Sequence, residues 1–441
     1  MTIKVSKSAQ PDDLRSTVQT ATRQLLAELG TATELVSAVS STDTSSRAAQ
    51  VLKTTGSHLD SRQQAELNRM LTEFGAAIKA SATPNGKKRS NEVTVDTEDA
   101  EVGEVFTRFL MTAVRGVLRP DLKESAGRAS LMLMLGAFET YVASFARALL
   151  HFGPSREVID RAEISVREIR ELPAIVDIEK YVVDRSVQNL MHGGIEDWAK
   201  WFERYQIDWK DVPSNWWSFR EVDARRNLVA HADSKVSGIY LALASESGAS
   251  TSPALGTKLD IDADYIAAAD NQLSAFCVLL ATSALLKLRP QEQEQTYVWA
   301  TGLAEDALDE GRLDAAVDIT TKLLQKSRNR LGRALGLRIQ TLNWAARKAC
   351  GNAEEVAREV SSHDFSGLDA KHAHIRAVLL DNDEAAVEQL LALIADGGIT
   401  VARIKASTVY LDLRTRRGTD WLDEARVGKS ALGAPSYTIG G

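Results

Sequence analysis

A chain of 441 residues is too long for one ordinary domain, so two or three domains are expected. With 44% apolar and 26% charged residues, the composition is that of a folded, soluble protein rather than a disordered one. The net charge of −7 argues against a protein that coats nucleic acid non-specifically. Any contact with RNA therefore requires a local basic patch.

The cysteines and the apolar segments favour a cytoplasmic protein with no membrane contact. Cys277 and Cys350 fit neither a disulfide framework nor a zinc site, and such sparse use suits a reducing compartment. The first residues lack the apolar core of a signal peptide. The longest apolar run, near 276–286, is predicted to be too short to span a membrane. No metal or cofactor is predicted, because P-loop, His-Glu-x-x-His and Cys-x-x-Cys motifs are absent from the sequence.

The N-terminal region, 1–82, is predicted to contain two amphipathic helices within 12–81, separated near Gly56. Residues 83–104 combine Pro, Asn and Gly with a basic and then an acidic run, which predicts a linker. The basic triplet 87–89 could contact phosphates or simply lie solvated in that linker.

A mostly helical domain is predicted over 105–290. Its stretch 125–150 is rich in Leu, Met, Ala and Phe and should form a buried central helix. Glu139 lies within this stretch, and a buried carboxylate needs a partner. Arg225 or Arg226 would serve; alternatively, Glu139 lies on the solvent side of the helix.

Five tryptophans precede the central motif, and a second long apolar helix is predicted over 262–288. Tryptophans can stack on bases, or they can pack in a core or a dimer interface. The tryptophans are Trp198, Trp201, Trp209, Trp216 and Trp217.

The remaining chain, 291–427, is predicted to form helical hairpins, and 428–441 is predicted to be a flexible tail. Turn signals recur at a spacing of roughly 30 to 40 residues, which is typical of tetratricopeptide-like repeats. The turn signals lie at 310–312, 351–352, 381–383 and 417–418. The predicted fold class is therefore all-α, a helical bundle followed by hairpin repeats.

The most informative segment, 223–231, places two guanidinium groups, an amide and an imidazole in one short helical stretch. On a helix, Asp223, Asn227 and His231 share one face. Arg226 projects about 140° away from His231, at 100° per residue, so one helix aims the two groups poorly at one phosphate. A second copy, docked antiparallel about a two-fold axis, would bring both pairs into one cleft, which predicts a homodimer.

These residue types suit cleavage of RNA. His231 would take the proton from a ribose 2′-hydroxyl or give one to the leaving 5′-oxygen. Arg226 would stabilise charge in the transition state, and Asn227 would bind the phosphate or fix the imidazole tautomer. Attack by the 2′-hydroxyl needs no metal, leaves a 2′,3′-cyclic phosphate and a 5′-hydroxyl, and spares DNA. Three further residues are predicted to support the site: Glu139, Asp223 and Arg225.

The hexapeptide Arg-Asn-Leu-Val-Ala-His at 226–231 resembles the Arg-(four to six residues)-His signature of HEPN-domain proteins, in particular the branch with Arg-Asn-x-x-x-His. Residues 135–141 look like the first core helix of that family, and 257–265 are similar to the segment that comes after the motif in the same branch. The resemblance covers about 125–288, which is under half of the chain.

The resemblance implies an all-helical bundle that dimerises and a metal-independent endoribonuclease of a toxin or anti-phage defence system. Arg226, Asn227 and His231 would be its catalytic residues. Members that a nucleotidyltransferase silences carry a tyrosine two residues after the histidine. This chain has Asp233 there, so control by adenylylation is not expected. The repeats would bind a protein trigger or inhibitor.

Two hypotheses stay open at this point. The first is the ribonuclease. The second is a non-catalytic, dimeric helical scaffold, or a subunit of a defence complex, that binds RNA or another ligand without cleaving it. RNA cleavage that persists in chelator and is lost in His231→Ala would separate them.

Overall fold

The computed structural model describes residues 14–40, 57–81, 96–97, 99–118, 122–152, 164, 167, 178–213, 215–246, 253–327, 331–365 and 373–423. The regular structure of these residues is helical throughout. Their one extended pairing is an isolated antiparallel bridge between Lys235 and Lys258. The prediction of an all-α fold is confirmed, whereas the HEPN-like bundle and the tetratricopeptide-like repeats stay predictions.

The described helices follow the predicted order. As far as residue 288 they are α1 (Leu14–Ser40), α2 (Ser61–Ser81), α3 (Ala100–Leu118), α4 (Leu122–Phe152), α5 (Ile178–Met191), α6 (Ile195–Glu203), α7 (Trp216–His231), α8 (Gly238–Glu246) and α9 (Ala263–Leu288). Beyond it they are α10 (Gln293–Asp309), α11 (Leu313–Lys326), α12 (Arg333–Ala349), α13 (Ala353–Ser362), α14 (Ala373–Leu379), α15 (Asp383–Ala395), α16 (Val401–Ala406) and α17 (Leu411–Arg417).

The linker prediction over 83–104 is wrong at its C-terminal end, because α3 begins at Ala100. The carboxylate of Asp99 accepts hydrogen bonds from the backbone N–H groups of Glu101 and Val102, at 3.0 and 3.2 Å. An aspartate that satisfies these free N–H groups starts a helix. The acidic run, which suggested a solvated linker, therefore contains the residue that caps α3. The basic triplet and the C-terminal tail lie outside the described residues.

The chain divides into two compact units, and their limits differ from the predicted domains. One comprises 1–33, 130–260 and 264–441, and the other comprises 34–129 and 261–263. The predicted boundary between bundle and repeats, at 290, thus falls inside one unit. In the smaller unit, α2 and α3 pack through a core that includes Met70, Val102 and Phe106.

In the larger unit, the N-terminal helix α1 packs against segments that follow it by more than two hundred residues. The guanidinium of Arg15 lies 2.7 Å from the carboxylate of Glu292. The hydroxyl of Thr33 donates to the carboxylate of Asp270 at 3.1 Å. These long-range contacts explain why α1 does not form a separate N-terminal domain.

The centre of the larger unit is a cluster of aromatic rings around Phe138 of α4. The Phe138 ring centroid lies 6.2 Å from that of Trp198, 6.2 Å from that of Trp209 and 5.6 Å from that of Phe219. Phe219 stacks on Phe276 of α9 at 4.0 Å. Each such side chain stabilises the fold by about 1.5–3 kcal/mol through burial. For Trp198 and Trp209, core packing is the correct interpretation; Trp201, Trp216 and Trp217 are half-buried.

The predicted hairpin turns are confirmed. The signals at 310–312 and 351–352 lie between successive described helices, the signal at 381–383 ends at the first residue of α15, and the signal at 417–418 begins at the last residue of α17. Gly311, Gly351 and Gly418 have positive φ angles of 81°, 93° and 70°, which glycine adopts without strain. Consecutive helices from α10 to α12 pack on each other, as do α14 and α15.

Two helices, α4 and α9, are long and apolar enough to cross a membrane, which corrects the prediction that no apolar stretch is long enough. In their most apolar windows, 56% of the α4 residues and 67% of the α9 residues are buried inside the protein. Core helices of soluble proteins pass the same test of length and composition. The apolar surfaces of α4 and α9 are buried in the aromatic packing described above.

Candidate active site

The candidate residues lie on α7, which begins at Trp216. Asn215 caps it, because its side-chain oxygen accepts the backbone N–H of Ser218 at 3.1 Å. The buried residues of α7 are Phe219, Val222, Ala224 and Leu228, and Ala224 and Leu228 pack with Val236 and Tyr240. The helix ends at His231, where the next residues turn the chain away.

Arg226 bridges α7 and α4. One terminal nitrogen of its guanidinium donates to the carboxylate of Glu139, and the other donates to Oδ1 of Asn227 at 3.0 Å. The prediction that one of the two arginines pairs with Glu139 is confirmed. The alternative, that Glu139 lies on the solvent side of its helix, is also partly right. The Glu139 side chain is 36% exposed, and that of Arg226 is 24% exposed.

The polar chain continues from Asn227 to Asp223. Nδ2 of Asn227 donates to the Asp223 carboxylate at 3.4 Å, as expected of residues four apart on one helix face. Burial raises the pKa of the Asp223 carboxyl above its ordinary value, and the nearby guanidinium of Arg226 opposes this. The structure therefore brings together Glu139, Arg226, Asn227 and Asp223.

Arg225 belongs to a different network from the Glu139–Arg226 pair, and its supporting role stays a prediction. Its Nε donates to Glu221 at 2.7 Å, and its Nη1 donates to the backbone oxygen of Asp260 at 3.0 Å. The guanidinium carbon lies 4.0 Å from the ring centroid of Tyr265. Through these three contacts, Arg225 joins α7 to Asp260 and to Tyr265 of α9.

Glu221, at the centre of this network, was not among the sequence candidates. It also accepts hydrogen bonds from the hydroxyls of Tyr240 and Tyr265, at 2.8 and 2.9 Å. Burial, together with the Glu221 carboxylate, raises the pKa of Tyr240 to about 12. The spacing of Glu221 and Arg225, four residues apart on a helix, is the sequence signal that could have revealed the pair.

His231 is exposed in the last turn of α7. Within the described part of the chain, no hydrogen bond or ion pair holds its ring. Arg226 is directed to Glu139, so the imidazole and the guanidinium do not converge within one chain. This agrees with the 140° separation calculated from the sequence.

Two further histidines of the described residues belong to other elements. His192 is exposed after α5, and Nε2 of the buried His374 lies 2.9 Å from the hydroxyl of Tyr410. His372 lies outside the described residues. The residues that the structure describes contain no group of three or more His, Cys, Asp or Glu side chains placed to hold a metal ion.

No family model, no curated protein and no solved structure matches this chain. The resemblance to HEPN-domain proteins therefore rests on the motif residues, and it remains a prediction.

Proposed function

We propose that the protein is a metal-independent endoribonuclease of the HEPN type. The observation that carries the proposal is the accessibility of the candidate residues. His231 and Asn227 are exposed, and Arg226 reaches the surface beside them. A helix that served packing alone would have no need of an imidazole, an amide and a guanidinium here. An exposed imidazole can exchange protons near neutral pH, and a guanidinium can hold a phosphate.

In the proposed reaction, His231 accepts the proton of the ribose 2′-hydroxyl as that oxygen attacks the adjacent phosphorus. The bond from phosphorus to the 5′-oxygen breaks, and a second His231 imidazolium gives its proton to that oxygen. Arg226 stabilises the negative charge that builds on the phosphate. Asn227 and Glu139 position the guanidinium through the contacts described above. The products are a 2′,3′-cyclic phosphate and a 5′-hydroxyl.

The reaction requires a second copy of the chain, because His231 and Arg226 diverge on one helix. The outer face of α4 supports this requirement. Met132 and Leu133 are 40% and 56% exposed, and nothing lies within 4 Å of the Cβ position of Gly136. Gly136 stands one helical turn from Glu139, so another backbone could approach beside the Glu139–Arg226 pair. A two-fold axis beside Gly136 would place α7 of the second copy near α7 of the first copy.

The proposed setting is the cytoplasm, in a toxin or anti-phage defence system. The sparse cysteines support a reducing compartment. The hairpin helices after residue 290 offer a surface for a protein trigger or inhibitor. RNA is the proposed substrate, and the second copy is the proposed partner.

The test is incubation of the purified protein with RNA in excess EDTA. We expect fragments whose 5′-hydroxyl ends accept phosphate from polynucleotide kinase without prior dephosphorylation. His231→Ala should abolish this activity, whereas His192→Ala, which replaces another exposed histidine away from α7, should leave it intact. Cleavage that depends on a divalent metal, or that survives in His231→Ala, would refute the proposal.

A second candidate is a helical scaffold that binds RNA or another ligand without cleaving it. The observation in its favour is that Arg226 is engaged by Glu139 and Asn227, as a structural arginine would be. In that case His231→Ala would leave every activity unchanged, and Arg226→Ala would act only by lowering the free energy of unfolding.

A further inference from the structure

Two lysines face each other across a short antiparallel pairing beside the candidate site. The isolated bridge joins Lys235 to Lys258, and one backbone hydrogen bond of 2.9 Å lies on each side of it. Neither bond involves the two lysines themselves. In such a non-hydrogen-bonded pair, the Cα atoms are about 4.5 Å apart and the side chains leave the same face of the pairing. The two ammonium groups can therefore reach a single point.

This arrangement costs free energy in the free protein. Like charges directly opposite each other on two strands destabilise the pairing. Both lysines are exposed, so packing in a core does not account for them. The carboxylate of Asp233 lies 3.9 Å from Nζ of Lys235, which is too far for a hydrogen bond, and it offsets part of the repulsion. An anion bound between the two ammonium groups would offset more of it.

The helix that follows Lys235 adds to the attraction for an anion. α8 begins at Gly238, and the N-terminal end of a helix carries a partial positive charge. The first N–H groups of a helix have no partner inside it. Gly238 is exposed, and nothing lies within 4 Å of its Cβ position, so a ligand can approach this backbone closely.

The turn after α7 holds the lysine pair close to His231. The backbone N–H of Ser234 donates to the carbonyl oxygen of Leu228 at 3.0 Å, and that of Lys235 donates to the carbonyl oxygen of Ala232 at 2.9 Å. Four residues span at most about 14 Å when extended, and these bonds shorten the path. An RNA strand whose scissile phosphate lies at His231 would therefore bring a neighbouring phosphate to the lysines.

We propose that Lys235 and Lys258 together bind a phosphate of the RNA strand next to the phosphate that is cleaved. This inference rests on the proposed function, since RNA is the ligand that brings a second phosphate beside His231. The net charge of −7 leaves phosphate binding to a local group of cations, which the pair provides. Because the contact is made to the RNA backbone, it gives affinity without preference for a base.

The test is binding of a fluorescein-labelled, single-stranded RNA to the full-length protein, followed by fluorescence anisotropy at several salt concentrations. Every 2′-hydroxyl of this RNA is methylated, so the RNA cannot be cleaved by attack of that oxygen. Its length is about 12 nucleotides, within the range of single-strand sites. We expect Lys235→Gln and Lys258→Gln each to raise Kd about fivefold, the effect of about 1 kcal/mol.

The salt dependence shows whether a phosphate contact is lost. In the variant that carries both substitutions, the slope of log Kd against log salt concentration should fall by about 0.7, the loss of one phosphate contact on a single strand. The loss should be the same for RNAs of different sequence. Lys287→Gln replaces an exposed lysine in the last turn of α9 and should keep the wild-type slope.

Asp233→Asn should act in the opposite direction and lower Kd, because it removes the carboxylate that competes for Lys235. Asparagine tolerates the left-handed backbone conformation of residue 233, so the turn is kept. Thermal unfolding would establish that each variant is folded.

An unchanged slope in the folded double variant would overturn the proposal. So would an equal loss in Lys287→Gln, weaker binding in Asp233→Asn, or no binding of this RNA by the wild type. Cleavage of RNA by the wild type together with unchanged slopes would mean that this inference alone is wrong. Binding that depends on both lysines, without any cleavage, would mean that the ribonuclease proposal alone is wrong.

Discussion

The two sides of α7 carry adjacent arginines with opposite surroundings. On one side, Arg225 contacts Glu221, the carbonyl of Asp260 and the ring of Tyr265. On the other side, Arg226 contacts Glu139 and its neighbour Asn227. Its Nε is buried and has no hydrogen-bond partner in the described part of the chain.

This difference is the basis of the proposal that Arg225 is structural and that Arg226 takes part in the reaction. Arg225 would have to break several contacts to bind a phosphate, and the loop before α9 would then lose its hydrogen bond to α7. The Arg226 side chain is 24% exposed beside exposed Asn227. A motif of two adjacent arginines does not by itself separate the two roles, and the proposal assigns them from the partners of each arginine. Four predictions test this distinction.

Arg226→Ala should lower the rate of RNA cleavage by about 100- to 1,000-fold, because it removes the cation that stabilises the transition state. Arg226→Lys should recover part of this loss, since lysine keeps the charge but not the paired donors. The measurement is the single-turnover rate with saturating protein. Full activity in folded Arg226→Ala would contradict the proposal that Arg226, unlike Arg225, takes part in the reaction.

Arg225→Ala should lower the free energy of unfolding by about 2–3 kcal/mol, because it leaves Glu221 buried without its cation. Urea unfolding followed by circular dichroism measures this. Below its unfolding midpoint, the variant should keep the wild-type rate of cleavage. A loss of stability no larger than that of Arg226→Ala would contradict the structural assignment.

Glu139→Gln should lower the free energy of unfolding by about 1 kcal/mol, the effect of exchanging an ion pair for a neutral hydrogen bond. Cleavage should fall less than about tenfold, because Arg226 itself remains. The ratio of kcat to KM for wild type and variant gives the answer. A loss as large as that in Arg226→Ala would mean that Glu139 takes a direct part in the reaction.

Asp223→Asn should have the smallest effect, a gain in stability of less than about 1 kcal/mol at pH 7. Burial raises the folded-state pKa of Asp223, so the folded protein holds this proton more tightly than the unfolded chain does. The wild type therefore loses stability as pH rises through the range above about 4. The gain in the variant should vanish near pH 2.5, about one unit below the ordinary aspartate pKa, where Asp223 is protonated in both states. A gain that is the same at both pH values would exclude this cause.

Much of the fold could be predicted from the sequence. The apolar periodicity of α4 and α9 and the glycines at Gly311 and Gly351 are local signals, and the structure places helices and turns accordingly. The Glu139–Arg226 pair could also be anticipated, since a carboxylate in an apolar helix requires a cation.

Other features depend on distant parts of the chain and left no local signal. The contact of Arg15 with Glu292 joins residues 277 positions apart. The Glu221 network is completed by Tyr240 of α8 and Tyr265 of α9, two helices that follow α7 in the chain.

The turn after His231 limits which side chains the chain can accommodate at position 233. Asp233 and Ser234 both adopt left-handed backbone conformations, with φ of 51° and 60°. Aspartate tolerates that conformation, whereas a bulky aromatic side chain is strained there by about 1–2 kcal/mol. Under the proposed function, the tyrosine acceptor of the members silenced by nucleotide transfer would fall at position 233. A tyrosine placed there would carry this strain unless the turn changed its backbone path.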